Sequence, residues 1–171
     1  QPDSVQSWYQ RGVCRLGRKR YREAVDDFSR VLQLDSQRLA AKVSRAVAYQ
    51  ELGQLQDGLQ DLTDAIDGGF PETRVYGSRA VIYQRLDNSE AAARDIETLL
   101  RLRPTDAKSW ISRGLARLPQ DPDAALRDFL ESRKLEPHSL EAYRNISMVL
   151  SEYLQRPNES IDVLTEGLQH H

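Results

Sequence analysis

The 171-residue sequence predicts an all-α fold: an α-solenoid of about ten antiparallel helices paired into five hairpins. Three features of the chain point to it. Small residues Gly12, Ala46, Ala80 and Gly114 recur at intervals of 34 residues, each inside a segment with helical apolar spacing. A second small-residue series, Ala24, Gly58, Ala92 and Ala125, follows at intervals of 34, 34 and 33, with Phe28, Ile96 and Phe129 four residues on in three of them. Between the two series lie turn residues such as Gly17 and Gly53. The length is close to five such units, which suits stacked repeats better than one closed core.

The first hairpin, residues 5–38, places Trp8 and Gly12 on one helix and Ala24, Phe28 and Val31 on the next, with a break expected from Gly17 to Arg20. Gly12 and Ala24 allow close helix approach, and Trp8, Phe28 and Leu32 fill what remains. The second, residues 39–72, repeats the pattern with Ala46, Tyr49, Gly53 in the turn and Ala65. Its weak point is Gly58, since glycine inside a helix costs about 1 kcal/mol against alanine, so this second helix is expected to be the softest. Gly68-Gly69 followed by Pro71 reads as a helix stop.

The third hairpin, residues 73–106, carries Tyr76, Ala80, Tyr83, Ala92, Ile96, Leu99 and Pro104 at the same offsets. The fourth, residues 107–139, carries Trp110, Gly114, Ala125, Phe129 and Pro137 and lacks one residue near Pro119 to Asp123. The fifth, residues 140–171, keeps Tyr143, Ser147, Ser160, Leu164 and Leu168 and has one residue extra, expected near Gln155 to Asn158. His170 and His171, tag residues or native ones, are set aside.

Charges repeat as well. Arg11, Arg45, Arg79 and Arg113 stand 34 residues apart, and Asp27, Asp61, Asp95 and Asp128 accompany them on the second helices. In the fifth hairpin both are gone together, with Ile146 and Val163 in their places. Joint loss is what a real pair predicts: removing one partner strands a charge, whereas two apolar replacements can be neutral.

The spacing of Trp8 to Gly12 and of Ala24 to Phe28 resembles the tetratricopeptide repeat (TPR) family, whose unit is a 34-residue helical hairpin. The resemblance covers the chain, residues 1–171, as a single array of five repeats. It implies a right-handed superhelix that acts as a non-enzymatic scaffold binding a partner peptide or helix in a concave groove. In that family the first helices line the groove. The matching positions here are Tyr9, Val13, Val43, Val47, Gly77, Val81, Ile111, Leu115, Arg144 and Met148, with Gln6, Arg74 and Lys108 at the rim. Gly77 inside a helix is costly unless a backbone or ligand must come close. Some TPR co-chaperones clamp a partner's terminal carboxylates with Lys and Asn. Tyr9, Val13, Ser44 and Ser78 stand where those residues would be, and only Arg74 keeps the charge, so such a clamp is not expected. The family pattern has leucine where Arg11 stands, and the Ser-Arg-Gly and Ser-Arg-Ala units look similar to bacterial multi-repeat TPR proteins, in which arrays are often appended to signalling enzymes; the alternative expectation is a self-association segment or a regulatory arm of a larger signalling enzyme such as a kinase.

Other functions lack residues to carry them. A net charge of −2, with 24 basic and 26 acidic residues, gives no excess to hold nucleic acid or a lipid surface, and no base-reading pair recurs between repeats. The basic turn Arg15, Arg18, Lys19, Arg20 and Arg22 is followed at once by Glu23, Asp26 and Asp27 and reads as a solvated turn. Cys14, the single cysteine, falls where the family has alanine and is expected to be a small buried thiol rather than a nucleophile. His138 sits alone in a turn, and there is neither a phosphate-binding glycine loop nor a metal-ligand cluster, so no enzyme, cofactor or metal is expected. Asn145-Ile-Ser and Asn158-Glu-Ser match glycosylation sequons only if the chain is secreted. No apolar run reaches the roughly 18 residues of a membrane span, and a cytoplasmic location is the expectation. The last helix offers Ile161, Leu164 and Leu168 where an array normally ends in a polar cap. A piece of a longer protein, or a homo-oligomer through this fifth repeat, is therefore expected.

Overall fold

A computed structural model describes residues 4–169, so His170 and His171 lie outside the described residues. The helices are α1 (Val5–Gly17), α2 (Tyr21–Leu34), α3 (Leu39–Glu51), α4 (Leu55–Asp67), α5 (Arg74–Arg85), α6 (Ser89–Arg101), α7 (Ala107–Arg117), α8 (Pro122–Leu135), α9 (Leu140–Met148) and α10 (Pro157–Gln169). Among the described residues there is no strand, and the fold is the all-α array that the periodicity predicts. Contacts divide the chain into two compact units, residues 1–71 with 78–95 and residues 72–77 with 96–171, the division falling inside α5 and α6.

In the first unit α1 pairs with α2 and α3 with α4, and α2 packs against α3. Ala24, Phe28, Val31, Ala41 and Ala48 form one fully buried cluster, with Trp8, Tyr9 and Leu32 against it. Gly12 makes this possible: a Cβ there would sit 2.7 Å from Phe28 Cε1. Gly58 has the same cause. It is buried, and a Cβ would meet Ile82 Cδ1 at 3.1 Å and the Ala46 carbonyl at 3.2 Å, so the glycine that weakens α4 locally is the seat of a close helix contact. In the second unit Gly114 repeats the Gly12 contact, 2.5 Å from Phe129 Cε1, and Phe129 joins Ile111, Ala125, Ile146, Val149 and Leu150 in a buried cluster.

The turns explain the two slips in register. Lys19, Gly53 and Asp87 have left-handed backbones with φ of 59°, 75° and 57°. The amide that follows each closes back on the helix, Arg20 on Arg15 O, Gln54 on Tyr49 O and Asn88 on Tyr83 O, each at 2.9 Å. The fourth hairpin lacks this left-handed residue. There Asp121 N–H donates to Arg117 O at 2.9 Å, and its side chain caps α8 by accepting from Ala124 N–H at 2.8 Å ahead of Pro122. In the fifth hairpin the extra residue is not in the loop where the sequence pointed. It is absorbed by a π turn, Val149–Tyr153, in which Leu154 N–H reaches Val149 O at 3.0 Å. The widened turn lets Val149 and Leu150 both stay buried, and Gln155 (φ 55°) then supplies the left-handed stop.

Each repeated arginine meets the aspartate of its own hairpin. Arg45 Nε and Nη2 reach Asp61 at 2.7 and 2.8 Å, Arg79 meets Asp95 at the same two distances, and Arg113 meets Asp128 at 2.9 and 2.8 Å. Arg11 holds Asp27 through Nη2 at 2.6 Å. All four carboxylates are buried. The remaining arginine nitrogen ties hairpin to hairpin: Arg45 Nη1 donates to Ser29 Oγ at 3.0 Å and Arg79 Nη1 to Thr63 Oγ1 at 3.4 Å, while Arg113 Nη1 donates to Leu102 O at 3.1 Å. The Asp61 hydrogen bond raises the Arg45 guanidinium above its ordinary value against the opposing pull of burial.

Candidate functional site

The lining residues expected from the first helices separate into two sets, according to their place along the helix. One residue beyond the Trp8 place, side chains are used for packing. Tyr9 lies with its ring centroid 5.8 Å from that of Phe28 and its hydroxyl 3.4 Å from Ser44 Oγ, so it fills the seam between α2 and α3. Val43 and Ile111 are buried, leaving almost no surface for a partner. Gly77 is occupied from within: a Cβ there would fall 2.3 Å from Ser112 Oγ and 3.1 Å from Leu99 Cδ2, so its glycine admits α7 rather than a ligand. Arg144 alone in this set is exposed.

Four residues further along, the same helices are open. Val13, Val81 and Leu115 keep 44%, 42% and 46% of their surface, far more than core side chains of the same type, while Val47 and Met148 are half-buried. In the first unit the open apolar positions are therefore Val13, Val47 and Val81, and in the second Leu115 and Met148. Of the basic rim, Arg74 is already held by Glu72 through its Nε at 2.5 Å and its backbone N–H donates to Ser109 Oγ at 3.1 Å. Lys108 and Arg144 are exposed and enter no ion pair among the described residues. Gln6 accepts from Arg38 Nη2 at 2.9 Å.

Two expectations about single residues change. Cys14 is exposed, not buried, because its place on α1 is the one that the preceding hairpin covers at Ala48 and Ile82, and no described element precedes α1. The basic turn is partly engaged: Arg15 Nη1 lies 2.6 Å from Asp27 Oδ2, and Arg20 pairs with Glu23. Arg15 and its counterpart Arg117, 3.0 Å from Asp128, make two kinds of hairpin visible. In hairpins one and four a second arginine shares the aspartate and the first lies over a tryptophan, Arg11 on Trp8 at 4.3 Å and Arg113 on Trp110 at 4.6 Å. In hairpins two and three a tyrosine takes the second arginine's place and the cation lies over it, Arg45 on Tyr49 at 5.6 Å and Arg79 on Tyr83 at 5.8 Å. The signal was in the sequence, since Trp three residues before the arginine always comes with Arg four after it.

At the fifth hairpin, the repeat at which the sequence points to self-association, Leu140, Tyr143, Arg144, Leu164 and Leu168 line an open hollow of ≈ 560 Å³. Burial and the hydrogen bond to Glu166 Oε1, at 3.1 Å, push the Tyr143 hydroxyl above its ordinary range. Among the described residues no group of three His, Cys, Asp or Glu side chains could hold a metal ion, and no helix is long and apolar enough to cross a membrane.

The sequence model of the tetratricopeptide repeat matches residues 5–38 and 73–106, the first and third hairpins as drawn above. Two of its hairpins are thus tetratricopeptide repeats. This TPR chain is similar in fold to TTC0263, a thermophilic TPR protein of Thermus thermophilus, with a TM-score of 0.78 at 19% identity over 98% of this chain and 91% of that one. It is similar too to YrrB, described as a TPR protein with an unusual peptide-binding site, with a TM-score of 0.56 at 14% identity over 99% and 87%. Among curated sequences it is 28% identical over 95% of its length to human N-alpha-acetyltransferase 16, NatA auxiliary subunit, and 26% identical over 85% to human tetratricopeptide repeat protein 13. The TPR chain spans only 15% and 18% of those two relatives.

Proposed function

We propose that this TPR array is a non-enzymatic interaction module that binds a segment of a partner protein on the open faces of its first helices. The observation that carries the reading is the contrast within those helices: core positions are sealed, yet aliphatic side chains stay exposed at the same helical place, Val13, Val81 and Leu115, in three hairpins. An exposed apolar patch rimmed by polar residues marks a contact surface. Lys108 and Arg144, without an ion pair among the described residues, add positive charge near Leu115 and Met148 along the chain, which suits a segment with apolar anchors and acidic neighbours. TPR proteins bind protein or peptide partners as a class, and the YrrB likeness agrees with the peptide mode.

The experiment is selection of binders from a displayed peptide library, followed by the substitutions Val81→Glu and Leu115→Glu. Both side chains are exposed, so the helical circular dichroism and melting temperature should stay at wild-type values while binding is lost. Unchanged binding in both variants would refute the reading. A second reading, an arm of a larger enzyme assembly, is favoured by one observation: the curated relatives are several times longer, and one is described as an auxiliary subunit.

A further inference from the structure

The first unit carries a strip that neither the sealed core nor the ion pairs use. On α3, Ser44, Val47 and Gln50 stand three residues apart and so share one face, and on α5 the same face is Ser78, Val81 and Gln84. On α1 it is Gln10, Val13 and Leu16. All nine are partly or fully open and none is charged, although 29% of the sequence is. The strip is not a bare end of the array. The Tyr9 hydroxyl of α1 lies 3.4 Å from Ser44 Oγ on one side of α3, and Arg85 Nη1 of α5 donates to Gln50 O at 2.7 Å on the other.

Cations of these helices are taken up inside the hairpins, Lys42 on Asp64 at 2.5 Å, Arg45 on Asp61 and Arg79 on Asp95, the last two at 2.7 Å. The side chains of Gln50, Ser78 and Gln84, by contrast, make no hydrogen bond to protein among the described residues. A row of short aliphatic side chains is thus flanked by uncharged groups able to donate and accept. Such a strip asks for a ligand without charge whose backbone still needs hydrogen-bond partners.

Spacing narrows the ligand further. Neighbouring helices pack about 8–10 Å apart, so an apolar side chain must arrive at that interval. A β segment presents one side chain to a given face about every 6.6 Å and falls out of step. A polyproline II segment turns once in three residues and returns to one side about every 9.3 Å, in step with the helices. An α-helix comes back to one face after seven residues, about 10.5 Å. Its backbone is already hydrogen-bonded, however, and it would cover Gln50 and Gln84 without giving them partners, an unfavourable exchange. The polyproline II backbone has no internal hydrogen bonds and leaves its N–H and C=O groups for those side chains.

We propose that the segment received by the first unit is an uncharged polyproline II stretch with proline or an aliphatic residue at every third place, lying on Val13, Val47 and Val81. The proposal rests on the reading of the first helices as the binding face and names the chemistry of what binds there.

The test is fluorescence anisotropy of the chain with three labelled peptides: repeated Val-Pro-Gln triplets, the same residues shuffled to break the period, and an uncharged helical peptide with leucines in heptads. The triplet peptide should bind saturably and about tenfold more tightly than either control, and Val81→Ser should weaken it about tenfold. Gln84→Leu should weaken it about threefold through a lost hydrogen bond, whereas a helical ligand would gain from the added leucine. Both side chains are open, so circular dichroism should stay at wild-type values. Equal or tighter binding of the shuffled or heptad peptide overturns the proposal and leaves the binding face in place. So does a Gln84→Leu chain that binds the triplet peptide as tightly as wild type, or failure of the triplet peptide while library-selected binders still depend on Val81. Library-selected binders that are indifferent to Val81 remove the face itself, and the proposal with it.

Discussion

In the fifth hairpin Ile146 is buried in the cluster that Val163 packs against, at the two places where the other four hairpins set an arginine against a buried aspartate. The exchange is concerted. An arginine alone in place of Ile146, or an aspartate alone in place of Val163, would have no partner in reach, whereas two aliphatic groups need none. The same chain therefore displays both solutions to one packing problem, polar and apolar.

That relationship predicts how a single and a paired substitution differ on the third hairpin. Asp95→Ala leaves Arg79 facing a buried gap and should destabilise the fold by about 3 kcal/mol. Arg79→Ile with Asp95→Val, which copies the fifth hairpin, should cost less than about 1 kcal/mol. Urea unfolding of the single and double variants measures both.

The left-handed residues make a second prediction. Gly53 adopts φ 75° without a steric penalty, whereas Lys19 and Gln155 hold a similar backbone with side chains attached. Gly53→Ala should therefore destabilise by about 1 kcal/mol, and Lys19→Gly should raise the melting temperature by about 2 °C. Thermal unfolding followed by circular dichroism distinguishes these opposite signs.

Close packing at Gly114 makes a third. An alanine Cβ would lie 2.5 Å from Phe129 Cε1, and that ring is fully buried with nowhere to move. Gly114→Ala should cost about 1–2 kcal/mol despite the better helix propensity of alanine. Combining it with Phe129→Leu should recover part of the loss, which a denaturation series would show.

A fourth concerns pH. Asp64 accepts hydrogen bonds from Lys42 Nζ at 2.5 Å and Gln60 Nε2 at 2.6 Å, and these hold its carboxyl below the ordinary carboxylate range. A carboxyl more acidic in the folded chain stabilises it above the unfolded pKa, and that contribution fades as pH falls through the lower folded value. Lys42→Met should raise the Asp64 pKa toward its ordinary value and shrink this acid-side loss. Carbon-detected NMR titration of the Asp64 carboxyl reads the shift directly.

Much of this architecture could be read from spacing alone. The hairpin units, the Gly53 turn and the pairing of each arginine with an aspartate follow from a 34-residue period, because identical offsets in a stacked array place side chains in identical surroundings, while the Gly69 stop follows from Gly68-Gly69 ahead of Pro71. What spacing could not show are departures from that identity. Cys14 shares its offset with Ala48 but has no preceding hairpin among the described residues to cover it. The added residue of the fifth hairpin could enter a loop or a helix, and the need to bury Val149 and Leu150 together decided for the helix. Val43 and Val47 look alike in sequence, but only a difference of one helical turn relative to the neighbouring helices separates the sealed one from the half-open one.

The account rests most heavily on a partner segment lying along the open side of the first helices. Methyl-resolved NMR of the chain during titration with a library-selected peptide tests this most directly. The methyl signals of Val13, Val47 and Val81 in the first unit, or of Leu115 and Met148 in the second, should shift while those of Val31 and Leu62 in the core stay still. Saturable shifts confined to the second helices, with Val81 and Leu115 unmoved, would contradict it.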